Sequence, residues 1–466
     1  MAFVNDTDLA ATGAGQGAYM VGFAQSATGA AQRSAMVKLR EIVSITDFGG
    51  RGDGVTDNSA ALLAALLTNK TVFFPATEDG TPYLVSGNFD FAAIKATTAT
   101  EIPVVSLIGE GIGRSVIQFT GAGSFLKGGT TTASGGYPQA LVLRDLSLRG
   151  TGVRGSSLAV TYGQFTTTAG NGYAGCNSTQ VAVEWEFEPA SAIENCGIEN
   201  FGTGVLTKQG YGYTIASSHI RYNMIGLDLR AATTTGNIVG NTIERNGIGI
   251  GLWIASLINF RSNAIQGNYA GADIVSYNWN TQIKFDGNYF EASPKCFVQD
   301  GDSGGEYTSN NFVFVDNKGL DAHIADFANR FYFIRNRMGE FYLGSNNERI
   351  VVEDNTVNDD DGLTPFTNYT GPGVTGLIYR DAPIKHVQAY AAAGGTPNGA
   401  SDSFNVVITG AKPGDQVIVT HSALPAGWET AGNCIANDTV RVDLLNFSGA
   451  AGTSFTGTLK VLVERI

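Results

Sequence analysis

Three glutamates, Glu184, Glu186 and Glu188, alternate with Val183, Trp185 and Phe187 in the run VAVEWEFE, Val181 to Glu188. A period of two places the acids on one face of a β-strand and the apolar residues on the other. Carboxylates gathered on one face are suited to general acid and base chemistry, one donating a proton while another activates water. Asp228 and Asp273 follow downstream, with Lys208, Arg230 and Trp253 interspersed. An indole face suits a pyranose ring and cations suit an acidic sugar, so the set reads as a saccharide groove.

Whether these residues meet depends on the elements that carry them. Four stretches lie over one another: Ile198 to Thr207, Ile220 to Leu229, Ile243 to Leu252 and Ile265 to Ile274, with starts 22, 23 and 22 residues apart. Fixed apolar slots at that period, with Asn or Gly at the corners, predict stacked coils of a parallel β-solenoid. Val205, Leu227, Ile250 and Ala272 then face inward, while Glu184, Leu206, Asp228, Gly251 and Asp273 form an outward column. Beside it run Glu186, Lys208, Arg230, Trp253 and Val275. Neighbouring coils are about 4.8 Å apart, so the backbones of Asp228 and Asp273, one coil between them, are expected roughly 9.6 Å apart. Carboxylates about 6.5–9.5 Å apart admit a water and invert the sugar, whereas about 5–5.5 Å gives retention.

The expectation is therefore an inverting hydrolysis with Asp228 and Asp273 as solvent-facing acid and base, and Glu186 as a third catalytic candidate. Glu184, Lys208, Arg230, Trp253, Tyr277 and Trp279 are the expected substrate-binding residues. A lyase using Lys208, Arg230, His219 or a tyrosine as base, or an adhesin that binds without cutting, would use the same groove. A second column, Glu199, Arg221, Glu244, Gln266 and Glu291, alternates in charge and reads as a structural ladder between coils. Asn223, Asn246 and Asn268 read as a corner ladder bonded to turn backbones. Asp300 to Asp302 and Asp359 to Asp361 lack full calcium-loop spacing and read as turns; no cofactor or metal is expected.

The 466 residues carry a net charge of −13, which argues against a nucleic-acid partner, because phosphate binding needs a basic surface. Sixty-one glycines suit a chain rich in tight turns and poor in helix. Cys176, Cys196, Cys296 and Cys434 have no metal-like spacing and read as free thiols. No apolar run is long enough to span a bilayer, so no membrane insertion is expected, and the N-terminus lacks the layout of a signal peptide.

Residues 1 to 45 read as a Gly/Ala/Thr-rich leader and helical neck, 46 to 372 as the solenoid, and 373 to 466 as a smaller antiparallel β-sandwich. The solenoid begins with the turn-dense Asp47 to Asn58 (DFGGRGDGVTDN), a helix from Ser59 to Leu67 and the strand Thr71 to Pro75 (TVFFP). From Asp47 to Val85 this block closely resembles the start of pectate-lyase-like right-handed β-helix proteins, phage tailspikes above all. Asn58-Ser59 stands where that pattern usually has Asp-Thr. Gly22-Phe23 with Lys38 to Ser44 resembles the tailspike neck, and the C-terminal segments PGDQVIV, LPAGW, NDTVRVDLLNFSG and GTLKVLVER resemble a tailspike β-domain. The resemblance implies a homotrimeric spike of a virion tail, docked through its N-terminus on a baseplate or another spike. It implies binding, and usually cleavage, of a bacterial surface polysaccharide. Tailspike catalytic positions vary, so no site residue is carried over from it.

Overall fold

The computed structural model describes residues 7, 11, 16–129, 139–152, 177–187, 189, 191–208, 210–268, 272–277, 279–291, 296–300, 309–324, 328–343, 347–353, 355–357, 369–370, 378–380, 384–392, 401–408, 411–421, 424, 426–449 and 455–464. The chain divides into two units, Met1–Ile250 and Gly251–Ile466. Both contain coils of short parallel strands, the architecture of a right-handed parallel β-helix.

The first unit opens with a short helix, Ala35–Leu39, and the strand Ile42–Ser44, which pairs in parallel with Thr71–Phe73. Between them the DFGGRGDGVTDN segment folds around buried Asn58. Its Nδ2 donates to the carbonyls of Arg51, Thr56 and Leu84, and its Oδ1 accepts from Arg51 N at 2.6 Å. Gly52 is tightly enclosed there, since a Cβ would lie 2.2 Å from the Thr77 methyl and 3.0 Å from the Tyr83 ring. The helix Ser59–Leu66 follows and buries Leu62, Ala65 and Leu66. A further helix, Phe91–Thr98, has no counterpart among the expected elements; Asp90 caps it by accepting from Ala92 N and Ala93 N, both at 3.1 Å.

Four strands carry the outward acids: β1 (Ser124–Lys127), β2 (Asn177–Trp185), β3 (Phe201–Thr207) and β4 (Ile225–Thr234). In parallel register Leu126, Val183, Val205 and Leu227 stack inward, all fully buried. The neighbouring positions, Lys127, Glu184, Leu206 and Asp228, stack one column over. Corner asparagines lock the coils as expected: Asn223 N and Nδ2 donate to Asn246 Oδ1 at 3.0 and 3.1 Å, and Asn246 Nδ2 donates to Ile220 O. Of the charge ladder, the Glu199–Arg221 step is present at 3.4 Å, and Glu199 also accepts from Arg149, outside that column, at 2.9 Å.

In the second unit, Asn263, Asn288, Asn317, Asn336 and Asn355 form a longer ladder, each donating from N and Nδ2 to the next Oδ1. Inside it Phe260, Phe285, Phe314 and Phe333 stack with centroids 4.7, 4.9 and 4.8 Å apart, which is the strand spacing itself. Parallel coils continue to Ile378–Arg380. Two three-stranded antiparallel sheets follow. One comprises Ile384–Ala392, Phe455–Glu464 and Gln416–His421, and the other Ser401–Val407, Thr439–Asn446 and Trp428–Ala436. Val419, Val461 and Val463 from the first join Val406, Val440 and Val442 from the second in one core, as a β-sandwich requires. Cys196, Cys296 and Cys434 are buried free thiols; Cys176 and the turns at 301–302 and 359–361 lie outside the described residues.

Candidate functional site

The structure brings five of the nine expected site residues into the first unit: Glu184, Glu186, Lys208, Asp228 and Arg230. Trp185 and Phe187 anchor their side of β2 in the core, both fully buried with rings in edge contact at 6.0 Å, which turns Glu184 and Glu186 outward. Gly128 lets the backbone at Glu186 pass, since a Cβ there would sit 2.2 Å from Glu186 O. Glycine at a strand end marking close backbone approach was available as a sequence signal.

Glu184 is nearly enclosed. Lys208 Nζ lies 2.6 Å from its Oε1, and Ser124 Oγ donates to Oε2. Burial pushes its pKa up, but these bonds and the charges of Lys208 and Lys127 more than offset that and hold it below the usual value. Glu186, half-buried, moves the other way: burial first, then the Glu184 charge, raise its pKa against the opposing pull of Lys127 and Lys208. Lys127 is itself paired with Asp90, Nζ to Oδ2 at 3.0 Å. Two neighbouring carboxyls whose environments push them apart are the arrangement that separates a proton donor from an ionised partner. The coil spacing alone does not bring Asp90, Ser124 and Lys127 to Glu184.

Asp228 corrects an expectation. It occupies the outward column, yet it is only 4 % exposed. Arg230, two residues on, folds back over it, Nε donating to Oδ1 at 2.7 Å and Nη2 lying 2.6 Å from Oδ2. Burial raises its pKa, opposed by Arg230. Asp273 corrects a second one, being fully buried in the other unit with Asn268 Nδ2 donating to its Oδ1 at 2.6 Å. Neither carboxylate faces solvent. Lys208 and Arg230 are ion-paired with Glu184 and Asp228, and both cation side chains stay about half exposed.

Trp253 and Trp279 are exposed, 38 % and 60 %, in the second unit. Buried Asn280 fixes that stretch, accepting from Ala255 N and donating to Leu252 O. Glu188 and the side chain of Tyr277 lie outside the described residues. Among the described residues no three His, Cys, Asp or Glu side chains are grouped to hold a metal ion, and no helix is long and apolar enough to cross a membrane.

Several solved structures share the fold. The catalytic domain of Agl-KA is similar at 16% identity and a TM-score of 0.49, covering 73% of this chain and 69% of its own. Tailspike gp49 of Pseudomonas phage LKA1 is similar at 12% identity and a TM-score of 0.43, covering 91% of this chain and 100% of its own. A tailspike double mutant from E. coli bacteriophage HK620, in complex with a pentasaccharide, is similar at 11% identity and a TM-score of 0.44, covering 98% and 99%. No curated protein matches the sequence. Residues 42–290 match the family described as rhamnogalacturonase A/epimerase, pectate lyase-like. That match spans more than half of the 466 residues and the whole carboxylate cluster, and the chain belongs to this pectate-lyase-like family.

Proposed function

We propose that this chain is a bacteriophage tailspike depolymerase that binds a bacterial surface polysaccharide, capsule or O-antigen, and hydrolyses it internally by carboxylate acid/base catalysis. One observation carries the reading: Glu184, next to last in β2, and Glu186, just past its end, alternate with the buried Trp185 and Phe187, and their surroundings push their pKa values in opposite directions, Glu184 down and Glu186 up. Glu186 donates its proton to the leaving glycosidic oxygen. Glu184, kept anionic by Lys208 and Ser124, accepts a proton from the attacking water.

In this reading Asp228 and Asp273 are bonded to the side chains of Arg230 and Asn268 rather than carrying protons, and in the second unit Trp253 and Trp279 offer apolar faces to sugar rings. The tailspike assignment draws on the Asp47–Val85 resemblance together with the family's scaffold. It implies a homotrimer on the virion tail, synthesised in the host cytoplasm, docked by its N-terminal segment and acting at the cell surface.

The test is incubation with purified capsules and O-antigens, followed by reducing-end assay and mass spectrometry. New reducing ends without ultraviolet-absorbing products support hydrolysis. Unsaturated, absorbing products would make it a lyase, and binding without products an adhesin.

A further inference from the structure

Among the described residues, each cation of the cluster is paired with a carboxylate. Lys127 lies 3.0 Å from Asp90, Lys208 lies 2.6 Å from Glu184, and Arg230 meets both oxygens of Asp228 at 2.7 and 2.6 Å. These three cations and three carboxylates cancel, and Glu186 remains as the unmatched group. An arriving sugar carboxylate would have to compete for a cation already held in one of these pairs. Two of the acids losing their partner, Glu184 and Asp228, are nearly buried, and a buried carboxylate without its partner is costly. The net charge of −13 adds a long-range repulsion against a polyanion.

We infer that the subsite beside Glu186 takes an uncharged pyranose, so that the bond cut joins a neutral sugar rather than a uronic acid. This rests on the reading of Glu186 as proton donor. It also bears on reaction class, because β-elimination from a uronate requires positive charge on the sugar carboxylate, and the described cations here are committed to the protein's own acids.

The experiment uses the full chain on a panel of neutral O-antigen polysaccharides and acidic capsular polysaccharides. Each acidic polymer is assayed native and after chemical reduction of its uronic carboxyls to primary alcohols. The expected result is cleavage of a neutral polymer, or of a reduced polymer with kcat/KM within about tenfold of its native form, that is within about 1.4 kcal/mol. Cleavage confined to native acidic polymers, with loss beyond that factor on reduction, overturns the inference and leaves Glu186 as acid untouched. If no polymer of any kind is cut, the reading of Glu186 as acid falls, and the neutral subsite falls with it.

Discussion

Glu186 and Glu184 differ in what surrounds them more than in where they lie. Alternation along VAVEWEFE was enough to turn both outward, because Trp185 and Phe187 belong in the core. What alternation does not report is cover. Asp228 has the same orientation but is sealed by the guanidinium two residues later, a folding-back that depends on rotamers rather than on period. Lys127 and Asp90 escaped notice because more than two coils' length of chain separates β1 from β2, so a count of about 22 residues back from Glu184 does not reach them. Lys208→Met removes a bond and a charge that lower Glu184, and a charge that lowers Glu186. Both pKa values should then rise, moving both limbs of the pH–rate profile to higher pH; unmoved limbs would detach Lys208 from the catalytic pair. Asp228→Ala should cost on the order of 1–3 kcal/mol of stability, the usual penalty for losing a hydrogen bond to a charged group. Turnover per folded molecule should stay within about tenfold of the parent, equivalent to about 1.4 kcal/mol in barrier. A larger loss with an unchanged thermal midpoint would return Asp228 to the proton-carrying role.

At the level of elements, the coil repeat was legible because inward Ile, Leu and Val recur at nearly constant spacing from Ile198 onward. The first asparagine ladder was legible for the same reason. The second was not: its steps are 25, 29, 19 and 19 residues, since loops of different length leave each coil before the corner. The helix Phe91–Thr98 was hidden by a run, FAAIKATT, with little polar–apolar contrast, and its clearest signal is the Asp90 cap. Two C-terminal strands, Ile384–Ala392 and Trp428–Ala436, give no clear strand signal because Ala and Gly interrupt their alternation. Each ladder asparagine satisfies backbone groups with no access to water. Asn317→Ala removes its bonds to Phe285 O and Asn336 Oδ1 and the acceptor for Asn288, orphaning buried groups at about 1–3 kcal/mol each. Differential scanning calorimetry should show a clear fall in the midpoint; a fall no larger than that of an exposed Asn→Ala control would show that the ladder is not a source of stability.

At the level of the whole molecule, the C-terminal sheets leave apolar side chains in solvent, Val407 at 72 %, Phe447 at 56 % and Ile435 at 46 % exposed. Val407 and Ile435 both flank Thr439 at one end of their sheet, the kind of surface a neighbouring copy covers. Light scattering is expected to give three times the 48.9 kDa chain mass, and a monomer mass would refute the trimer. The sequence carried the solenoid and the sandwich to this scale, but it could not fix which outward carboxylates remain open, since that depends on side chains crossing from one coil to the next. The central claim is that Glu186 donates the proton that breaks the polymer. Its most direct test is the rate of reducing-end release by Glu186→Gln against the parent chain on a polysaccharide the parent cuts, with thermal midpoints measured in parallel. The account predicts a loss of about 10²–10⁴ in turnover at an unchanged midpoint, whereas a variant that cuts as fast as the parent would contradict it.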